Sequence, residues 1–234
     1  QENEPGNRKT DVMFTLLSDA GMVQKRKITP FGEFIANLGI ESITSWALVL
    51  CNLAYSPAFG WYIENIPFDT DYTEEQLAVD LSEATSKAQS EFWNGFKVIL
   101  DSNGALKGNE LGFGLPSITV KTLKNGTEQK KMTSLRRTPW SSPDPKVILY
   151  SLYKFAEACG DYYQFSLSTL MDDSIDRNGI SPTRIFGLDR DTMIRLLNGL
   201  NGNYPDFISA SFTLDLETIT LNKDKTSADV LSLF

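Results

Sequence analysis

No histidine occurs among the 234 residues. Imidazole is the usual base of nucleophilic triads and a common metal ligand. Its absence removes Ser-His-Asp and Cys-His schemes and every zinc site that needs histidine. Cys51 and Cys159 are the only cysteines, too few for a four-thiolate zinc or iron–sulfur site, and they show no C-x-x-C spacing. Both lie in apolar helical stretches, which reads as two buried thiols in a reducing compartment rather than as a disulfide. Asp172, Asp173 and Asp176 form one carboxylate cluster, whose oxygens suit Mg²⁺ if they converge; a solvated acidic loop is the competing reading. The glycines of 108–114 match neither a P-loop nor a strand-linked G-x-G-x-x-G. The chain is expected to carry no catalytic residue, no metal and no cofactor of its own.

What remains is electrostatic. The formal net charge is −8, distributed unevenly. Residues 60–120 hold ten acids against three bases, whereas 121–137 hold Lys121, Lys124, Lys130, Lys131, Arg136 and Arg137 against Glu128 alone. A polyanion is repelled by the first stretch and attracted by the second, so any nucleic-acid contact is local. The six bases lie on the two arms of a hairpin expected around Asn125-Gly126, a strong two-residue turn signal. Lysines also guard an exposed strand edge against pairing, so a solvated edge and a phosphate-tracking surface both stay open. A second basic pair, Arg190 and Arg195, falls with Asn198 and Asn201 on the outer face of a late helix. That is where a DNA-reading winged helix places its recognition residues. Residues 189–225, however, carry four bases and six acids, which favours protein docking on that helix.

The elements that must position these groups are written in caps and periods. Met13, Leu16, Leu17 and Ala20 have helical spacing before Gly21; Thr29 caps a helix opened by Pro30, with Glu33 in its first turn. This order resembles the closing half of a winged helix, and a plain helical hairpin fits as well. Residues 42–55 and 73–101 are expected to be helical, the second with Thr73 and Gln76 as a capping box. Trp46, Trp61 and Trp93 fall here and read as core, against a base-stacking platform. Asp144-Pro145 opens a helix bearing Ile148, Leu152, Phe155 and Cys159; Ser166 starts a shorter one; a loop runs from Asp172 to Pro182; Asp189 caps a third. Strands over 207–212 and 217–221 complete a C-terminal winged helix.

The expected fold is α+β and mainly helical: a partial winged-helix-like segment over 1–40, a helical middle with the basic hairpin over 41–137, and a C-terminal winged-helix-like domain over 138–234. With 41% hydrophobic and 22% charged residues the composition is that of a globular chain. No apolar run nears the roughly 18 residues that span a bilayer, and no export signal opens the chain, so a cytoplasmic location is expected. Gln1 in place of Met suggests a piece of something longer.

Several stretches carry a family resemblance: Gly6-Asn7-Arg8, Ile28 through Glu33, Trp46 through Tyr62, Asp144 through Tyr150, Ser181 through Leu188, and Tyr204 through Ile208. Together they resemble the carboxy-terminal region of bacterial proteins similar to phosphoadenosine-phosphosulfate (PAPS) reductase, relatives of the ATP pyrophosphatases. Several of these are linked to DNA phosphorothioation. The last two stretches are also similar to a domain of unknown function that accompanies phosphorothioation genes. The resemblance implies a non-catalytic accessory portion of a sulfur-transfer protein, because the family's Ser-Gly-Gly-x-Asp-Ser nucleotide loop and cysteine-rich segment are not in these residues. The implied partners are the parent's catalytic domain, another protein subunit, or weakly held DNA. A purely protein-binding or oligomerisation module, motivated by the aromatic-rich stretch Tyr55 to Tyr62, is the alternative.

Overall fold

The computed structural model describes residues 7–39, 41–73, 75–76, 110–172, 174, 177–213 and 216–234. Within them the chain is α+β, with helices and small antiparallel sheets. The first part runs α1 (Asn7–Asp19), β1 (Val23–Gln24), β2 (Lys27–Ile28), α2 (Pro30–Leu38), α3 (Ile43–Leu53) and α4 (Pro57–Asn65). Then come β3 (Asp71–Thr73), β4 (Leu115–Thr122) and β5 (Glu128–Arg136). The last part holds α5 (Pro145–Ala158), β6 (Gln164–Ser166), α6 (Leu167–Met171), α7 (Pro182–Phe186), α8 (Arg190–Asn203), β7 (Ile208–Thr213), β8 (Leu216–Leu221) and α9 (Ser227–Val230). No helix among the described residues is long and apolar enough to cross a membrane.

Side-chain caps start most of these helices, as the sequence predicts. Thr29 Oγ1 accepts from Gly32 N, Asp144 Oδ1 from Lys146 N, Ser166 Oγ from Thr169 N and Asp189 Oδ1 from Thr192 N. Each satisfies an amide that the helix itself leaves without an acceptor. Thr73 and Gln76 make the expected reciprocal box; the helix expected behind them, with Trp93, lies outside the described residues. Several elements go beyond the sequence reading. β6 was not expected, and it pairs with β8 to give the sheet order β6-β8-β7. α7 occupies the stretch after the expected loop, capped by Ser181 and opened by Pro182, with Gly187 left-handed at φ 66° as its stop. Within the stretch Tyr55–Tyr62, α4 begins at Pro57 and buries Phe59 and Tyr62, while Tyr55 and Trp61 are half-buried. The Phe59 and Tyr62 rings pack on Phe113 and are not offered to a partner.

The sheet β3-β5-β4 carries a bulge. Ser117 stands opposite Ser134 but Ile118 stands opposite Met132, leaving Thr133 as an extra residue whose hydroxyl donates to Ser117 O at 3.1 Å. An extra residue reverses the alternation of faces. Leu135 and Met132 are therefore both buried although they are three apart. The hairpin turn also differs from expectation. Gly126 N donates to Leu123 O, Leu123 N donates to Thr127 O, and Gly126 sits at φ 81°. This is a three-residue turn over Lys124–Gly126 with glycine in the left-handed place, rather than the two-residue turn that Asn-Gly suggests.

Buried side chains form one continuous cluster running from Ala20 to Val230. Arg137, expected on the basic surface, is within it and 1% exposed. Its Nη1 donates to Ile63 O and Ile66 O at 2.9 and 2.7 Å, and its Nη2 to Arg184 O and Ile185 O at 2.7 and 3.3 Å. These carbonyls lie at the C-terminal ends of α4 and α7. The helix partner for Ile63 O would come from residue 67, a proline without an N–H. The guanidinium also lies over the Phe68 ring at 4.1 Å and the Tyr62 ring at 5.5 Å. Gly187 leaves room for Phe68, since a Cβ there would come within 2.7 Å of that ring.

Arg137→Met is expected to lower the unfolding free energy by roughly 3–4 kcal/mol, because several buried carbonyls lose a charged donor at once. Arg137→Lys should recover less than half, since one ammonium lacks the planar fork that reaches two helix ends. Urea denaturation monitored by circular dichroism measures both. A loss below about 1 kcal/mol for the methionine variant, the level of an ordinary surface change, would show that the arginine does not join these helices.

Candidate functional site

β4 and β5 form the longest hairpin among the described residues, and its outer half stands clear of the core. Every residue from Ser117 to Lys124 is exposed. Ile118 and Val120 are 49% and 54% exposed, and Leu123 near the tip is 39% exposed. Among the described residues β4 is an edge strand, and β3 pairs with β5 only at residues 134–136. Beyond that point the hairpin is a two-stranded ribbon.

The structure gathers four of the expected bases on this ribbon. Lys121 and Lys124 are exposed on β4 and in the turn. Lys130 stands opposite Val120 and Lys131 opposite Thr119 in the register. Glu128, opposite Thr122, is the acid of the same ribbon. Alternation puts Lys121 on the face away from Ile118 and Val120. Basic positions therefore occur on both faces, and the apolar pair on one. Sequence reasoning picked out the lysines and missed Ile118 and Val120 as surface groups. Their period-2 spacing was readable, but which face the body covers was not.

The other four expected bases are placed differently. Arg136 sits at the root of the ribbon and is engaged by Asp71 on β3: its Nε donates to Asp71 Oδ1 at 3.0 Å and its Nη2 pairs with Asp71 Oδ2. Arg137 is buried as described and presents no charge to an external ligand. Arg190 and Arg195 belong to α8, a separate element. Arg190 pairs with Glu217 of β8, and Arg195 Nη2 donates to Thr192 Oγ1 at 3.3 Å. Asn201 Oδ1 accepts from Ala210 N, so that amide is engaged in joining α8 to β7. The outer face of α8 thus has one of its two arginines countered internally.

Of the carboxylate cluster Asp172 is described, and its Oδ1 accepts from Ser174 N and Oγ at 2.8 and 2.6 Å. Those hydrogen bonds hold its carboxyl below the ordinary carboxylate range. Asp173 and Asp176 lie outside the described residues. Among the described residues no group of three or more His, Cys, Asp or Glu converges on a metal position. Cys51 is buried beside Ser151, and burial pushes its thiol up to about 12, which keeps it protonated at neutral pH. No family model matches the chain, and no match was found among curated proteins or solved structures.

The Arg136 hydrogen bond holds Asp71 below the ordinary carboxylate range. Hydrogen bonds do the same for Asp189 at its cap and for Asp229, which Thr226 engages. Folding lowers these values, so their stabilisation is complete above the unfolded carboxylate range near about 3.9 and is lost as pH falls through the lowered folded values. With no histidine in the chain, urea midpoints should be flat between roughly pH 5 and 8 and fall only in acid. In a carboxyl NMR titration, Arg136→Gln should return Asp71 towards the ordinary range. An unchanged Asp71 curve in that variant would break the assignment of the shift to Arg136.

Proposed function

We propose that this chain works by holding rather than transforming: an accessory, non-catalytic module whose lysine ribbon meets the phosphate backbone of DNA. The carrying observation is a two-stranded ribbon with Lys121 and Lys124 exposed, Lys130 and Lys131 on the facing strand opposite Val120 and Thr119, and an acidic remainder of the chain. A ribbon of this width enters a DNA groove, and lysines along its arms contact phosphates as point charges. The acidic remainder keeps the contact local and weak, and the partner supplies the rest of the affinity. The resemblance to PAPS-reductase-like proteins supplies the context of that partner, a sulfur-transfer enzyme acting at DNA.

Two arrangements support the winged-helix part of this reading. The order α5, β6, α6–α7, α8, β7, β8, with β8 central in its sheet, is that of a winged helix with its second helix split in two. At the start, α1, the β1–β2 hairpin and α2 follow a helix–wing–helix order. On this reading α8 docks protein, because Glu217 counters Arg190.

Fluorescence anisotropy with a labelled 20-base-pair duplex tests the DNA contact. Binding is expected at low salt with a slope of log K against log salt of about −3 to −4, as for four phosphate contacts. Reversing Lys121, Lys124, Lys130 and Lys131 to Glu together should abolish it, while Arg195→Glu changes it less than twofold. Absence of binding at 20 mM salt, or equal losses from both variants, would remove the ribbon as the DNA contact.

One observation favours a second reading, in which the ribbon adds to a partner protein's sheet. β4 is an edge strand with Ile118 and Val120 exposed on one face, the features that strand addition uses. Ile118→Thr with Val120→Thr should leave the anisotropy intact if DNA is the partner.

A further inference from the structure

A cleft of about 610 Å³ opens between α2, α3, α5 and the C-terminal α9, on elements other than the lysine ribbon. That size falls in the range of small-molecule sites. Four aromatic rings contribute to its walls: Phe31 and Phe34 from α2, Tyr55 beyond the end of α3, and Tyr150 from α5. Phe31 and Tyr150 lie nearly parallel, at 17° with centroids 6.2 Å apart. The remaining surface is not uniformly apolar. Asn52 lines the cleft, with its Nδ2 donating to Ala20 O at 3.0 Å and its Oδ1 accepting from Tyr150 Oη at 2.8 Å. An amide has two N–H groups and two oxygen lone pairs, so one of each is left over beyond those two bonds.

Lys154 supplies the cation of the cleft. Its side chain is 29% exposed, with the ammonium 5.6 Å from the Tyr55 ring centroid. The neighbouring carboxylate, Glu157, forms an ion pair with Nζ at 3.8 Å, too long for a hydrogen bond. The Glu157 oxygens instead accept from the backbone N and Oγ of Ser227, at 2.7 and 3.0 Å. Asp19 also borders the cleft, but it is exposed and water screens it more than it screens Lys154.

We propose that this cleft binds a flat aromatic ligand bearing an acidic group, with its ring against the aromatic walls and the acid towards Lys154. Ring burial supplies the affinity and Lys154 selects the charge, as expected where few polar groups fix orientation in an aromatic site. The site is independent of the DNA reading.

Naphthalene-2-sulfonate and its neutral twin naphthalene-2-sulfonamide are the probes, titrated calorimetrically into the full chain at pH 7. One saturable site is expected for each, the sulfonate bound more tightly. Lys154→Met keeps the aliphatic stem and should weaken the sulfonate at least tenfold while leaving the sulfonamide within twofold. Ala228→Trp places a ring at the exposed cleft rim and should abolish both, with the melting temperature confirming that the variant folds. No saturable binding of either probe, or binding that survives Ala228→Trp in the folded variant, overturns the site. Equal losses of both probes in Lys154→Met overturn the charge selection. Should Ala228→Trp fail to fold, the two-probe comparison in Lys154→Met decides alone.

Discussion

A buried guanidinium is the constraint around which the chain is arranged. Taking a charge out of water costs several kcal/mol after relaxation. Arg137 meets that cost with carbonyls at two helix C-termini and two aromatic faces. Helix C-termini carry partial negative charge, so the ends of α4 and α7 both help to balance the guanidinium. The consequence is topological. α4 belongs to the first part of the chain and α7 to the last, and the residue joining them immediately follows β5. Phe68, bridged to Arg137 through the backbone and resting on Gly187, closes the same junction. The root of the ribbon is therefore fixed by the packing of both halves, while its outer half is exposed.

Arg136 and Arg137 show what a sequence does and does not say. They are identical side chains at adjacent positions, and alternation along a strand sends them to opposite sides. One meets Asp71 in solvent; the other is swallowed by the core. Nothing in the local pattern identifies which is which, because the bulge at Thr133 resets the faces. Helix starts were legible for a different reason. Thr29-Pro30, Asp144-Pro145, Ser166 and Asp189 act through amides two or three residues away, so the interaction is contained in the sequence window. The same logic applies to α7, where Ser181-Pro182 and Gly187 mark both ends of a five-residue helix too short to show a full amphipathic period. β6 was hidden because a three-residue strand exists only through its distant partner β8.

The site was legible in charge and illegible in exposure. The cluster of bases over 121–137 is plain in composition, yet only the four lysines belong to the outer ribbon. The arginines at its root serve the structure, one through β3 and one through two helix ends. Aromatic residues behave in the same way. Tyr55 to Tyr62 stand out in the sequence as a surface for partners, but helix α4 carries Phe59 and Tyr62 inward against Phe113. Phe31, Phe34, Tyr55 and Tyr150 draw no attention as a group, being spread over residues 31–150, and the fold brings them to one cleft. Long-range convergence of this kind leaves no local signature.

Charge distribution then constrains how any polyanion can be met. With the chain as a whole at −8, long-range steering opposes approach of a nucleic acid, and attraction acts only within about a Debye length of the ribbon, roughly 8 Å at physiological salt. If the ribbon meets DNA as proposed, it touches a backbone without drawing the acidic remainder of the chain onto it. On the proposed reading this suits an accessory module. A strongly basic body would bind every duplex it met and hold its partner there, whereas a narrow lysine ribbon with a fixed root adds a few phosphate contacts to an interaction specified elsewhere. On that reading the buried Arg137 matters to the geometry, because a ribbon hinged at its root would lose the orientation that makes so few contacts count.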